Sequence, residues 1–432
     1  MPPRASGRLP WIGSGLRLLG NPTAFFAETR RALGDTFVVD AFGFRLFCVF
    51  SAAGVRSLYA LPEDEASFAR ATHTLIGFKL PPELLVGRRN GPRNLFGSRD
   101  VERYLGNLET AVRLEIADLG AHGEFEVFRE MRRLGHRLGL ASWAGTEAAS
   151  PGLLGRLIPL FDRIDSAEAF VRPAQAFLTI ATRRARERRA MHAVQHLIAG
   201  IWEERQRHGV AAGDFLEQLY ASYADLPLAE RHVGVARDVI MLHLGAQSNL
   251  YAALAWTFAN VLERPVHHAR ILAGDDVLLE QCANESIRMA QRSITLRLVV
   301  RSIEITDEHR TYRLAPGVFV ATMLSVNNTS AAPGLERFDP AHYDGRRLAA
   351  GVPLPARELV STFGHGLHAC PAQRFAISAV RVAVRGLLEH YEFTPRFTQP
   401  TPRPRQIGAV ARAAGPCVVA YRARRRPGSR AG

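Results

Sequence analysis

The sequence predicts a mainly α fold with small β-sheets, on three observations. From Asp100 to about Val300 the chain is helical in character, broken only by short Gly or Pro turns. β-branched and aromatic residues gather instead near the start, at Thr36–Phe50, and again at Ser302–Ile305, Gly317–Thr322 and Cys417–Tyr421. No internal repeat or low-complexity linker divides the 432 residues. The expectation is one domain over 1–432, with a Pro/Gly-rich lead over 1–20 and no membrane anchor.

The elements follow in order. Asn21-Pro22 opens a helix that runs to about Leu33, because proline at the first helical position gives up an N–H that has no partner there. Phe42-Gly43-Phe44 sits between two strand-like runs and reads as a hairpin turn. Ala52–Tyr59 reads as a short helix. Residues 72–98 are loop-rich, punctuated by Gly77, Pro81, Pro82, Gly87, Gly91, Pro92 and Gly97. Glu230–Leu262 is the longest helical run, and a last helix is expected from Pro371 to about His390.

Composition excludes several classes. Hydrophobic residues make up 47% and charged residues 22%, as in a folded globular protein rather than a disordered one. Lys+Arg minus Asp+Glu is 55 − 41, or +14. The arginines are scattered, which suits a solvated surface better than a nucleic-acid face. Only Arg422–Arg430 concentrates them, as a short terminal basic run. The four cysteines, Cys48, Cys282, Cys370 and Cys417, show no C-x-x-C pair, so neither a zinc site nor a disulfide framework is expected. That pattern fits a soluble protein in the reducing cytoplasm. The long apolar stretch Val239–Val261 carries His243, Gln247, Ser248, Asn249 and Asn260. Those groups are costly in a membrane span and usable in a buried helix beside a cavity.

Chemistry concentrates at Phe363–Ala376, FGHGLHACPAQRFA. Gly364 and Gly366 permit a tight loop and close approach to a flat ligand. Pro371 then leads into a helical run, which is expected to put Cys370 at a helix N-terminus. There the dipole and free N–H groups stabilise a thiolate and lower the thiol pKa. A lone cysteine beside a turn is more often inert. Here the spacing of Phe363, Gly366, Cys370 and Ala376 resembles the cytochrome P450 signature F-x-x-G-x-x-x-C-x-x-x-x-x-A. His368, two before the cysteine, matches the family's basic position, whereas Ala372 stands where glycine is usual.

The resemblance spans nearly the whole chain, from Leu9–Gly13 and Gly34–Phe37 onward. It implies a cytochrome P450 fold, heme b with Cys370 as the iron ligand, and a loop shaped by Phe363, Gly364 and Gly366. Glu285-Ser286-Ile287-Arg288 matches the E-x-x-R pair that locks the core behind that loop, and Arg297 falls where a basic residue meets a heme propionate. His342 stands where arginine normally completes a triad with the pair. On the long helix, Gly245-Ala246-Gln247-Ser248-Asn249 occupies the oxygen-site register. Ser248 replaces the usual acid and Asn249 the usual threonine, and neither side chain titrates. This resembles the sub-group of sterol 7α/12α-hydroxylases and prostacyclin synthase.

The implied activity is a monooxygenase that inserts one O2-derived oxygen into a lipophilic small molecule. Electrons would come from a separate ferredoxin or other reductase partner. The alternative is an electron-independent isomerase or dehydratase acting on a peroxide or an activated heteroatom substrate; a non-catalytic heme sensor or carrier ranks third. Family topology would line the pocket with Leu75, Ile76, Phe78, Leu80, Phe177, Leu178, Ile294 and Val410.

Overall fold

A computed structural model describes residues 2–5, 10–77, 79–87, 90, 100–165, 179, 181–345 and 348–424. Helices dominate, and three small sheets sit around them. A five-stranded sheet has the order β1 (Thr36–Ala41), β2 (Phe44–Val49), β8 (Phe319–Met323), β5 (Ile294–Val299), β3 (Ala66–Ser67). A three-stranded sheet has the order β4 (His122–Glu126), β10 (Val418–Ala423), β9 (Tyr391–Pro395). β6 (Ile303–Thr306) and β7 (Thr311–Leu314) form a separate hairpin.

The expected hairpin forms with Asp40 opposite Arg45 and Ala41 opposite Phe44. Its period-2 pattern builds two cores, one on each face of the sheet. Phe37, Val39 and Cys48 pack on one side, and Val38, Phe47 and Val49 on the other. Asn21 caps the helix Pro22–Leu33 by accepting the Ala24 N–H at 3.1 Å.

Two strands depart from the reading of 100–300 as unbroken helix. β4 interrupts it at His122–Glu126, pairing antiparallel with β10, with Glu126 opposite Val418 and His122 opposite Arg422. β5 follows the helix Asp276–Ala290 and joins β8, with Arg297 opposite Val320. Among the described residues, no helix is long and apolar enough to cross a membrane.

The central helix, Leu228–Leu262, is the axis of the largest core. It crosses the helix Val127–Trp143 at close range because that helix presents Gly135 and Gly139. A Cβ on Gly135 would lie 2.9 Å from the Tyr251 Cβ, and one on Gly139 3.1 Å from His243 Nδ1. The contact admits no added methyl group. At this crossing the buried imidazoles of His136 and His243 meet, Nδ1 to Nε2, at 2.8 Å.

Candidate active site

The cysteine loop is held by its own backbone. Gly364 and Gly366 adopt φ of +79° and +57°, where side chains with a Cβ are strained. The Cys370 N–H donates to Phe363 O at 2.7 Å and the Gly364 N–H to Ser361 Oγ at 2.9 Å. Phe363 and Ala372 pack against the main core. Cys370 is half-buried, whereas Cys48, Cys282 and Cys417 are buried. The side chain of His368 lies outside the described residues.

Two expectations for Cys370 need correction. The α-helix begins at Gln373, not at Pro371, so Cys370 stands three residues ahead of it and the intervening residues form a turn. The thiol is also not acidified by this position. Burial pushes its pKa up, against the opposing pull of one backbone hydrogen bond at Ala372.

Behind the loop lies a buried charged cluster. Arg288 and Glu285 are fully buried and meet through two hydrogen bonds of 2.6 Å. Arg288 also donates to the carbonyls of Asn328, Leu335 (2.8 Å) and Arg337 (3.2 Å). His342 Nδ1 lies 3.0 Å from Glu285 Oε1, which also accepts the Asp339 N–H at 2.9 Å. The imidazole thus takes a place on the carboxylate, with one contact where a guanidinium offers a fork.

Arg297 is fully buried on β5. Its guanidinium donates to Leu61 O at 2.6 Å, Ala66 O at 3.1 Å and Tyr59 O at 3.5 Å. Its Nε is buried with no hydrogen-bond partner among the described residues. The Tyr59 ring meets His365 of the cysteine loop edge-on at 5.1 Å, and the Tyr59 hydroxyl lies 3.0 Å from Thr295 Oγ1. Arg297 and the loop therefore belong to one cluster. Tyr59, Thr295 and His365 were not singled out by sequence reasoning; Tyr59 and Thr295 are 236 residues apart and carry no local signal.

On the central helix, Gly245 and Asn249 are exposed one turn apart, although Gln247, Ser248 and Leu250 beside them are buried. A Cβ on Gly245 would meet nothing within 4 Å, and the same holds at Gly366 of the cysteine loop. Asn249 Oδ1 accepts the Val410 N–H at 3.1 Å, and Val410 in turn bridges to Gln291. Ser248, 8% exposed, does not share the open face with Asn249.

An apolar cavity of about 470 Å³ reaches the loop at Gly364. Leu75 and Ile294 line it as expected, together with Ser293, Thr295, Leu296, Ile407 and Gly408. Leu80 and Val410 are core residues instead. Phe78, Phe177, Leu178 and the Ile76 side chain lie outside the described residues. Sequence reasoning missed Phe42, Phe44 and Phe68, which also line the cavity.

The arrangement fits a flat iron macrocycle. It offers the least buried thiol of the four on a glycine-framed loop, an arginine nitrogen with no hydrogen-bond partner among the described residues, and a helix face open at Gly245.

No family model matches the chain. It is similar to 24-hydroxycholesterol 7-alpha-hydroxylase of Mus musculus, 22% identical over 456 residues that cover 98% of this chain and 93% of that one. Abscisic acid 8'-hydroxylase 3 of Oryza sativa subsp. indica is 23% identical over 441 residues, covering 91% of this chain and 81% of that one. Cytochrome P450 monooxygenase gliF of Aspergillus fumigatus is 30% identical over a shorter 103 residues, 22% of this chain and 20% of that one.

Proposed function

The chain belongs to the cytochrome P450 family of heme-thiolate monooxygenases, and from that premise we propose that it oxygenates an uncharged lipophilic molecule of the sterol, terpenoid or secondary-metabolite kind. Heme iron bound by a thiolate supplies O2 activation, the sulfur donating electron density that favours O–O cleavage. Cys370 would hold the iron. Gly364 and Gly366 give the loop its shape, and Phe363 anchors it to the core. Arg297, whose Nε has no hydrogen-bond partner among the described residues, would pair with a heme propionate, and His368 stands at the family's basic position of the loop. Glu285, Arg288 and His342 hold the wall behind the loop.

The observation that carries the reading is the apolar cavity that reaches the cysteine loop at Gly364. Among the described residues that line it, none bears a charge. An ion entering such a site loses its hydration with no countercharge to offset the loss. A neutral lipophile gains about 25 cal/mol for each Å² of apolar surface removed from water. The names of the relatives, which are hydroxylases of 24-hydroxycholesterol and abscisic acid, support oxidation of a carbon skeleton. Electrons arrive from a separate ferredoxin or other reductase.

A second reading rests on Asn249. Its amide oxygen is engaged by Val410, and neither it nor Ser248 titrates. That suits an electron-independent rearrangement of a peroxide or activated heteroatom substrate, which needs no delivered protons. One experiment separates the two: purified holoprotein is offered a neutral lipophile library with and without reductant. Consumption of reductant matched to hydroxylated product supports the monooxygenase; full turnover without reductant refutes it.

A further inference from the structure

A directed chain of hydrogen bonds starts at Trp143, beside the helix that follows the cysteine loop. Trp143 is 2% exposed, and its ring lies 4.8 Å from that of Phe375, five residues beyond Cys370. Its indole Nε1–H donates to His243 Nδ1 at 3.2 Å. His243 Nε2 lies 2.8 Å from His136 Nδ1. His136 Nε2 is buried without a hydrogen-bond partner among the described residues, and sits 3.8 Å from Asp162 Oδ1. Asp162 is 39% exposed and is paired with Arg132.

The direction of the chain is fixed by chemistry. An indole N–H only donates, so His243 Nδ1 carries no proton. Burial keeps both imidazoles neutral by pushing their pKa values down, helped at His136 by its neighbours His243 and Arg132. A neutral His243 then holds its proton on Nε2 and gives that hydrogen bond to His136 Nδ1. A neutral His136 likewise holds its proton on Nε2, facing Asp162. Packing alone does not account for this arrangement. Two desolvated imidazoles, one with an unmatched nitrogen, are costly where apolar side chains of similar shape would fill the crossing.

We propose that Trp143 is a redox-active side chain, which returns one electron to the heme site when a peroxide-generated oxidant there meets no substrate, and which releases its indole proton along His243 and His136 to Asp162. The balance closes. The indole loses one electron and one proton and becomes a neutral radical. The oxidised heme site gains the electron. His243 takes the indole proton on Nδ1 and gives its Nε2 proton to His136 Nδ1. His136 gives its own Nε2 proton to Asp162, so both imidazoles finish neutral in the opposite tautomer. Their low basicity is no obstacle, because neither has to keep the charge; the proton rests on a carboxylate that reaches water.

The inference rests on heme being seated at Cys370. The test treats ferric holoprotein with peracetic acid in the absence of substrate, after its Soret band has been recorded. The chain has four tryptophans, and Trp11 is 72% exposed. Peptide mass spectrometry of the wild-type protein is expected to find oxygen added at buried Trp143 ahead of Trp11. Freeze-quench electron paramagnetic resonance is expected to give a neutral tryptophan radical that is lost in Trp143→Phe and reduced in His136→Gln. Oxidation of Trp11 with Trp143 intact overturns the proposal, as does a radical unchanged in Trp143→Phe. A sample with no Soret band removes the heme-thiolate reading along with it; a normal band with untouched Trp143 removes this proposal alone.

Discussion

The two sides of the cysteine loop are built on opposite rules. Behind it, Glu285 and Arg288 are fully buried and densely satisfied, by each other, by His342 and by carbonyls from three separate residues. On the other side, the cavity that reaches the loop at Gly364 has a mostly apolar lining, and Gly245 and Asn249 of the central helix are exposed. Buried charge without partners is ruinous, so the rear wall tolerates almost no change. The front holds few polar commitments, so its shape is free to follow the ligand. The wall fixes where the sulfur sits, and the open side decides what reaches it.

The largest expected effect falls on the boundary between the two sides. Cys370→Ser should abolish the red-shifted Soret band of the ferrous–CO complex while leaving far-ultraviolet circular dichroism unchanged. A persistent band would move the ligand elsewhere. Next comes the wall itself. Arg288→Ala leaves the buried Glu285 carboxylate without its guanidinium countercharge, which should cost about 3–5 kcal/mol, read as a lower urea midpoint or as failure to fold.

The packed flank of the central helix should respond to acid. Burial holds His243 down to about 3, against an ordinary value of 6.5, and His136 well below 6.5. Between pH 6.5 and about 3 the unfolded chain binds protons that the folded chain refuses. Stability therefore falls as pH drops through that window, by at most about 1.4 kcal/mol per pH unit for each histidine. Above pH 6.5 both states are neutral and the contribution vanishes. Thermal midpoints recorded from pH 7 to 5 should show this slope, and His243→Gln should flatten it.

Smaller effects sharpen the contrast. His342→Ala removes one of several partners of Glu285 and should cost about 1 kcal/mol, far less than loss of Arg288, as read by chemical denaturation. Asn249→Thr, on the open side, should change stability by no more than about 1 kcal/mol, since it gives up only the link to the Val410 N–H. Its effect should appear instead in the ratio of reductant consumed to product formed. An unchanged ratio would leave Asn249 with a packing role alone.

What could be read from the sequence was short-range. The cysteine loop and Glu285-x-x-Arg288 are legible because their partners fall within a few residues. The chemistry that depends on folding was not. Trp143 meets His243 across 100 residues, Asn249 meets Val410 across 161, and Tyr59 meets Thr295 across 236. β4 escaped notice because its five residues lie between two long helices and find their partner strand near the end of the chain. The misjudged acidity of Cys370 has a related cause. Local pattern located a helix start nearby, but only tertiary burial fixed which way the thiol shifts.

Gly135 and Gly139 bear on how this protein could be adapted. Where they meet Tyr251 and His243 the helices are already at contact, so the crossing behaves as a rigid pivot with no room for enlargement. Redesign toward bulkier substrates should begin at the cavity lining instead, with Phe44 and Phe68, where trimming a ring enlarges the chamber without touching that crossing.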